Sequence, residues 1–138
     1  MNVDSAVIQA DRLLPGEGPI SDEADPRWRA LLELRKHVEA EPEAIWEFVR
    51  RWGGAQDPTL RHALAVCLLQ DLLARHFLLM YPRVEERVHE EHRFADTFLR
   101  CSKWGQSALP AQSELFDRLT RFALKWCGAG AGSLGAQV

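Results

Sequence analysis

The strongest constraint on the fold is a central hydrophobic stretch that runs from Asp57 to about Met80. Asp57 followed by Pro58 is typical of a helix start, because the carboxylate can cap free amides and proline needs no amide at the first position. From Ala63 to Leu69, seven consecutive residues are apolar. A helix that is hydrophobic nearly all round lies among other helices, so we predict a buried central helix.

Segments with apolar residues at helical spacing lie on both sides of this stretch. Before it, the pattern predicts helices over about 25–39 and 41–52, each beginning at an acidic residue followed by proline. After it, Tyr81-Pro82 should end the central helix, and helices are predicted over 82–91, 93–102 and about 110–126. The fold class is therefore predicted to be all-α, with about six helices.

The two ends of the chain differ in composition from the middle. Residues 1–24 are acidic and hold one short helical pattern, Ser5 to Leu14, so we predict a partly ordered, loosely docked N-terminal arm. Residues 128–138 are rich in glycine, and we predict a disordered tail that begins where Gly128 caps the last helix. The region between them, 25–127, is predicted to form a single all-α domain.

Three helix starts made of an acidic residue and a proline recur at intervals of sixteen residues. The segment Asp57-Pro-Thr-Leu-Arg61, followed by alanines at 63 and 65, resembles the Asp-Pro-x-Val-Arg-x-x-Ala signature of HEAT-type repeats. The resemblance covers about residues 25–79 and implies a short solenoid of stacked antiparallel helix pairs. It also implies that Asp57 and Arg61, and similarly Asp25 and Arg29, bond to the neighbouring repeat. An irregular helical bundle whose caps coincide by chance is the alternative.

Composition restricts the compartment and the partners. Cysteine occurs at three widely spaced positions, which indicates reduced thiols and a cytoplasmic protein. Polar residues interrupt the central stretch, so we expect no membrane span. The formal net charge is -3, with no concentrated basic stripe, and this makes nucleic acid a weaker candidate partner than another protein.

No assembled set of catalytic residues is visible in the sequence. His89 and His92 are three residues apart, whereas the zinc-protease signature places its histidines four apart with a glutamate after the first. Cys67 lies inside the apolar run, where a thiol has a raised pKa and little thiolate. We therefore expect no enzyme activity, no metal and no cofactor.

The remaining function is binding. Small, acidic, HEAT-like bacterial proteins include immunity proteins and accessory domains, and resemblance to them implies a non-enzymatic protein-binding module that caps a toxin or another basic surface through an acidic face. The candidate partner-binding residues are the acidic Glu85, Glu86, Glu90 and Glu91, the basic Arg93 and Arg100, and two tryptophans that miss the core stripes, Trp46 and Trp104.

Two alternatives stay open. Asp96, between Arg93 and Arg100, either orients an arginine toward a ligand or forms an intrahelical ion pair. The runner-up function is nucleic-acid binding by a HEAT-like protein through arginine, lysine and tryptophan in the second half of the chain. The residues for it are Arg93, Arg100, Lys103 and Trp104, or Arg118, Arg121 and Lys125 on the last helix.

Overall fold

The computed structural model describes residues 1–16, 18–20 and 24–131, and within these ranges it contains helices and no strand. The predicted all-α fold is therefore confirmed. In chain order the α-helices are α1 (Val3–Leu13), α2 (Pro26–Arg35), α3 (Pro42–Trp52), α4 (Pro58–Leu64), α5 (Gln70–Arg75), α6 (Phe77–Glu90), α7 (His92–Leu99) and α8 (Pro110–Ala131). A π-helical turn, Ala65–Leu69, joins α4 to α5, and a 3₁₀ helix, Gly105–Ala108, precedes α8.

The axis of the fold is the central rod, which we define as α4, the π-helical turn and α5. Asp57 begins it as expected, because its carboxylate accepts a hydrogen bond from the Thr59 amide at 2.9 Å. Leu64 and Leu68 are fully buried and Val66 is partly buried. Helices α2, α3, α6 and α7 all contact the rod. The predicted burial of the central helix is thus confirmed.

The rod is not the straight α-helix that the sequence pattern predicts. The amide of Gln70 donates to the carbonyl of Ala65, five residues back, which makes one π-helical turn in the middle of the apolar run. The side chain of Gln70 then accepts a hydrogen bond from the Ser102 amide at 2.9 Å. The wider turn therefore lets a polar side chain leave the buried rod and fix the segment after α7.

The rod also ends earlier than predicted, at His76 rather than at Tyr81-Pro82. The His76 backbone is not helical (φ -137°, ψ 49°), and its ring Nε2 lies 3.1 Å from the carbonyl oxygens of both Val38 and Glu39. Because carbonyls only accept, Nε2 must carry the proton. Pro82 lies within α6 instead of breaking it, and it forgoes only the bond to the carbonyl of Leu78, a residue that is largely exposed.

The N-terminal segment is a docked helix, not the loosely docked arm that its composition suggested. Ala6 and Ala10 of α1 are buried. The carboxylate of Asp11 accepts hydrogen bonds from Arg51 Nη2 at 2.8 Å and from Trp52 Nε1 at 2.7 Å, both on α3. These hydrogen bonds join α1 to α3 beside the buried alanines. Residues 17 and 21–23 of the predicted arm lie outside the described residues.

Helices α6, α7 and α8, which follow the central rod in the chain, pack against one another. The Tyr81 hydroxyl donates to the carbonyl of Leu115 at 3.0 Å, and the rings of Phe98 and Phe116 pack with centroids 4.8 Å apart. Helix α8 continues to Ala131, so the predicted stop at Gly128 is wrong. A glycine that ends a helix usually adopts a positive φ. Among the described residues only Gly18 and Gly105 do so, whereas Gly128 keeps a negative φ and the helix continues through it. The rest of the predicted tail, 132–138, lies outside the described residues.

None of the helices in the described part of the chain combines the length and the hydropathy needed to cross a bilayer.

Candidate functional site

The most organised polar group of the chain is centred on Asp96 of α7. Its Oδ2 atom accepts a hydrogen bond from the Nε atom of Arg61 on α4 and another from the Nε atom of Arg100, both at 2.9 Å. The Nη1 atom of Arg61 also donates to the carbonyls of Ala55 and Gln56, at 2.7 and 3.0 Å. Arg61 therefore has a structural role, since it joins α7 to the loop before the rod.

Arg100 is held differently from Arg61. Only its Nε atom has a hydrogen-bond partner, and its two terminal nitrogens have none in the described part of the chain. The predicted ion pair between Asp96 and Arg100 is present, and Arg93, the third residue of the predicted group, is exposed and does not join it. Held through Nε alone, a guanidinium keeps its other donors for a ligand.

Arg100 lines a cavity of about 280 Å³, which we call the Arg100 cavity. Its other lining residues are Ile20, Pro58, Thr59 and His62. The hydroxyl of Thr59 accepts a hydrogen bond from the Ile20 amide at 3.0 Å and donates to the carboxylate of Asp57 at 2.9 Å, so this wall is fixed.

The loop that carries Ile20 is held from α2 by Arg27. The Nη1 atom of Arg27 donates to the carbonyl of Gly16 at 2.9 Å, and its Nη2 atom donates to the carbonyl of Pro19 at 3.3 Å. Arg27 also forms a 2.7 Å ion pair with Asp25, and the guanidinium holds the pKa of that carboxyl below its ordinary value. This network places the loop against the N-terminal end of α4.

A second candidate surface is the outer face of α6. Leu78 is 74% exposed, more than any other large hydrophobic residue in the described part of the chain, and Leu79 beside it is 42% exposed. Glu85 and Glu86 follow on the same helix, and neither carboxylate forms an ion pair with a described residue. We call these four residues the α6 face.

Only half of the predicted acidic cluster is available for a partner. Arg87 pairs with Glu91 at 2.9 Å and with Glu90 at 3.4 Å, so these two carboxylates are already partly neutralised. The unpaired charge of the cluster therefore lies at Glu85 and Glu86.

The two tryptophans predicted as anchors have opposite environments. Trp104 is 36% exposed, and the guanidinium carbon of Arg75 lies 5.5 Å from its ring centroid. Trp46 is only 4% exposed, and its ring meets that of Phe94 edge-on with centroids 6.0 Å apart. The interpretation of Trp46 as a surface anchor is therefore wrong. Helix α3 contacts both α1 and the rod, and Phe94 of α7 covers Trp46, so its buried face is wider than one stripe.

The histidine pair on α6 and α7 is occupied by aromatic contacts. The ring of His89 stacks on Phe122 with centroids 3.9 Å apart, and that of His92 meets Trp126 edge-on at 4.4 Å. The Nδ1 atom of His89 lies 2.9 Å from the carbonyl oxygen of Glu85. Within the described ranges, no group of three or more histidine, cysteine or acidic residues is arranged to hold a metal ion.

The cysteines have the environments of unreactive thiols. Burial raises the pKa of Cys67, within the π-helical turn, to about 11, and it also raises the pKa values of Cys101 and Cys127. The Sγ atom of Cys101 lies 3.9 Å from the carbonyl of Ala65. A thiol with a raised pKa is mostly protonated and is a poor nucleophile at neutral pH.

Compared with known proteins, the chain matches no family model, no curated protein and no solved structure. The HEAT-like resemblance of residues 25–79 therefore stays a prediction. Among the residues of that signature, Arg61 pairs with Asp96, and the partner of Asp25 is Arg27 rather than Arg29.

Sequence reasoning missed two polar groups that the fold assembles. Arg61 and Asp96 are thirty-five residues apart, and no spacing rule connects them. In the sequence Asp71 only interrupts the apolar stretch, but in the fold its carboxylate lies 3.6 Å from Arg35 Nε and 3.3 Å from Arg75 Nε. A single acidic residue on the apolar side of a buried helix is a signal for a charge partner, because unpaired buried charges are strongly unfavourable.

Proposed function

We propose that this chain is a non-enzymatic, cytoplasmic protein-binding module that uses the α6 face to bind a basic partner. The observation that carries the proposal is the exposure of Leu78 on a helix that also presents unpaired carboxylates. Large apolar side chains exposed beside charged groups are typical of protein-binding surfaces. The HEAT-like resemblance supports the same class, since such repeats commonly hold other macromolecules.

The spacing of the α6 face defines the partner. Leu78 and Glu85 are seven residues apart, as are Leu79 and Glu86, so each pair lies on nearly the same side of the helix. Seven residues of α-helix span about 10 Å. The matching surface is an apolar pocket about 10 Å from lysine or arginine side chains. A toxin with a basic active site, as the resemblance to immunity proteins implies, is a partner of this kind.

Affinity capture from the native host with matched charge variants tests the proposal. One variant removes the two unpaired charges of the α6 face, Glu85→Gln with Glu86→Gln, and a second replaces the apolar anchor, Leu78→Ser. The control variant removes two exposed acidic charges from outside α6, Asp4→Asn with Glu41→Gln. All variants should unfold at nearly the wild-type urea concentration, because exposed substitutions usually change stability by less than about 0.5 kcal/mol.

We expect wild type and control to retain the same basic protein, and both α6-face variants to lose it. The loss for Leu78→Ser should exceed about 1 kcal/mol of binding free energy, as for an anchor residue, when measured on the purified pair. Equal retention by all four proteins would show that the α6 face is not the binding surface. A captured protein with an acidic surface would contradict the proposed partner chemistry.

One observation favours the runner-up function of nucleic-acid binding. Arg118, Arg121 and Lys125 are exposed on α8 at a spacing that places them along one side of the helix, and their side chains have no ion-pair partner among the described residues. Neutralising them together should weaken binding to an oligonucleotide and flatten its dependence on salt. A gel-shift assay at low salt measures this directly, and no binding there would exclude the function.

A further inference from the structure

Arg100 is fixed in place, while its two terminal nitrogens have no hydrogen-bond partner among the described residues. Its side chain is anchored through Nε to Asp96, and Asp96 is held in turn by Arg61. A guanidinium held in this way presents two parallel N–H groups, the geometry that matches carboxylate and phosphate oxygens. The arginine is therefore oriented before any ligand arrives, which reduces the entropy lost on binding.

The other walls of the Arg100 cavity suit the same chemistry. None of the described residues that line it is acidic. The nearest described acid along the chain, Asp57, accepts hydrogen bonds from the amide and the hydroxyl of Thr59, which partly satisfy its carboxylate. His62 is exposed and its ring has no hydrogen-bond partner among the described residues, so it has an N–H available for a ligand.

Ile20 and Pro58 supply the apolar part of the cavity. Its volume of about 280 Å³ lies just below the usual range for small-molecule pockets, which starts at about 300 Å³. A cavity with a few fixed polar groups and apolar walls is the usual design of such pockets. The size admits a compact ligand with one anionic group.

We propose that the Arg100 cavity binds the oxyanion group, phosphate or carboxylate, of a small ligand, with Arg100 as the bidentate donor and His62 as a second donor. Asp96 is the positioning residue, because it acts on the ligand only through Arg100. The site uses none of the residues of the α6 face, so the two proposals are independent.

An NMR titration of the isotope-labelled full chain tests this site. Inorganic phosphate and acetate are added in separate series at constant ionic strength, and the Nε–H signals of arginine are followed together with the backbone amides. We expect saturating shifts at Thr59, His62 and Arg100. Saturation by phosphate alone indicates a phosphate-bearing ligand, and saturation by acetate alone or by both extends the ligand class to carboxylates.

Variants separate the cavity from general electrostatic attraction. Arg100→Gln should weaken binding by at least about tenfold, which corresponds to one charge-assisted contact. Arg100→Lys keeps the charge but not the paired donors and should also bind more weakly. The matched control is Arg93→Gln, a substitution of an exposed arginine of α7 that does not line the cavity, and it should leave the affinity unchanged.

Several results would overturn the proposal. They are shifts that grow linearly with both anions, equal losses for Arg93→Gln and Arg100→Gln, or no shift at all at the cavity residues. The amide spectrum of each variant reports its folding in the same experiment, so loss of binding by an unfolded variant cannot be mistaken for support. Arg100→Gln should also leave capture of a protein partner by the α6 face unchanged, which keeps failure of one proposal distinguishable from failure of the other.

Discussion

Removal of the two arginines around Asp71 should destabilise the protein more than removal of the Asp71 charge itself. The Asp71 side chain is 2% exposed, and its Oδ1 atom is buried without a hydrogen-bond partner. Its Oδ2 atom lies 3.3 Å from Arg75 Nε and 3.6 Å from Arg35 Nε. The two arginine side chains, by contrast, are 43% and 46% exposed.

The exposed fractions of these three side chains determine how much unfolding free energy each variant should lose. In Asp71→Asn the arginines can turn to water, and the cost is that of a weakened buried hydrogen bond, about 1–2 kcal/mol. In the double variant Arg35→Gln with Arg75→Gln, a buried carboxylate keeps its charge and loses both cations. Leaving a buried charge without its partner costs about 3–5 kcal/mol. Each single arginine variant should fall between these values, because one cation remains.

Urea unfolding at neutral pH, followed by tryptophan fluorescence, measures these differences. Each variant should shift the urea concentration at the midpoint of unfolding and leave the dependence of the unfolding free energy on urea concentration unchanged. The control is Arg50→Gln, which breaks an exposed ion pair with Glu47 and should change the free energy of unfolding by less than about 0.5 kcal/mol. A larger loss for Asp71→Asn than for the double arginine variant would refute the reasoning. So would a double variant that loses less than about 1 kcal/mol.

Three further predictions concern close packing at a glycine, the reactivity of the thiols and the pH dependence of stability. A methyl group at Gly53 would lie 2.6 Å from the Phe94 ring, so Gly53→Ala should reduce the free energy of unfolding by about 1–3 kcal/mol, measured in urea. At Gly54 the methyl group meets the end of the Glu91 side chain, which can move aside at the cost of its ion pair with Arg87, so Gly54→Ala should lose less than about 1 kcal/mol. Equal losses would contradict this packing. Cys127 should react with a thiol reagent before Cys67, which is 1% exposed and should react only on unfolding. Because the pKa of Cys67 rises from 9.0 to about 11 on folding, the free energy of unfolding should fall between these pH values, and Cys67→Ala should reduce that fall.

The parts of the fold that local chemistry determines could be predicted from the sequence. Asp25 and Asp57 accept hydrogen bonds from the amide two residues on, as acidic residues before proline at a helix start should. The burial of Leu64 and Leu68 follows from the apolar run around them. These features depend only on residues within a turn or two of each other.

Breaks in the central rod could not be predicted in the same way. Pro82 is the stronger local signal for a helix end, but the chain ends the rod at His76, where the ring reaches the carbonyls of Val38 and Glu39. The amide of Phe77, left free by that break, is satisfied by the side chain of Gln106 at 2.8 Å. The partners of His76 and Phe77 both come from distant parts of the chain, so no local sequence pattern predicts these contacts.

The helix caps are likewise determined by local sequence, whereas the candidate site depends on contacts between distant residues. The segments that begin at Asp25 and Asp57 have the same capping chemistry, so a sequence alignment treats them as equivalent. The arginines that form ion pairs nevertheless stand at different positions in the two segments: Arg27, two residues after Asp25, pairs with its own cap and holds the preceding loop, whereas Arg61, four residues after Asp57, reaches Asp96 on α7. Only the second arrangement leaves another arginine oriented with unused donors. The proposed anion site therefore forms only because α7 packs against α4. The repeated helix starts carry no information about that packing.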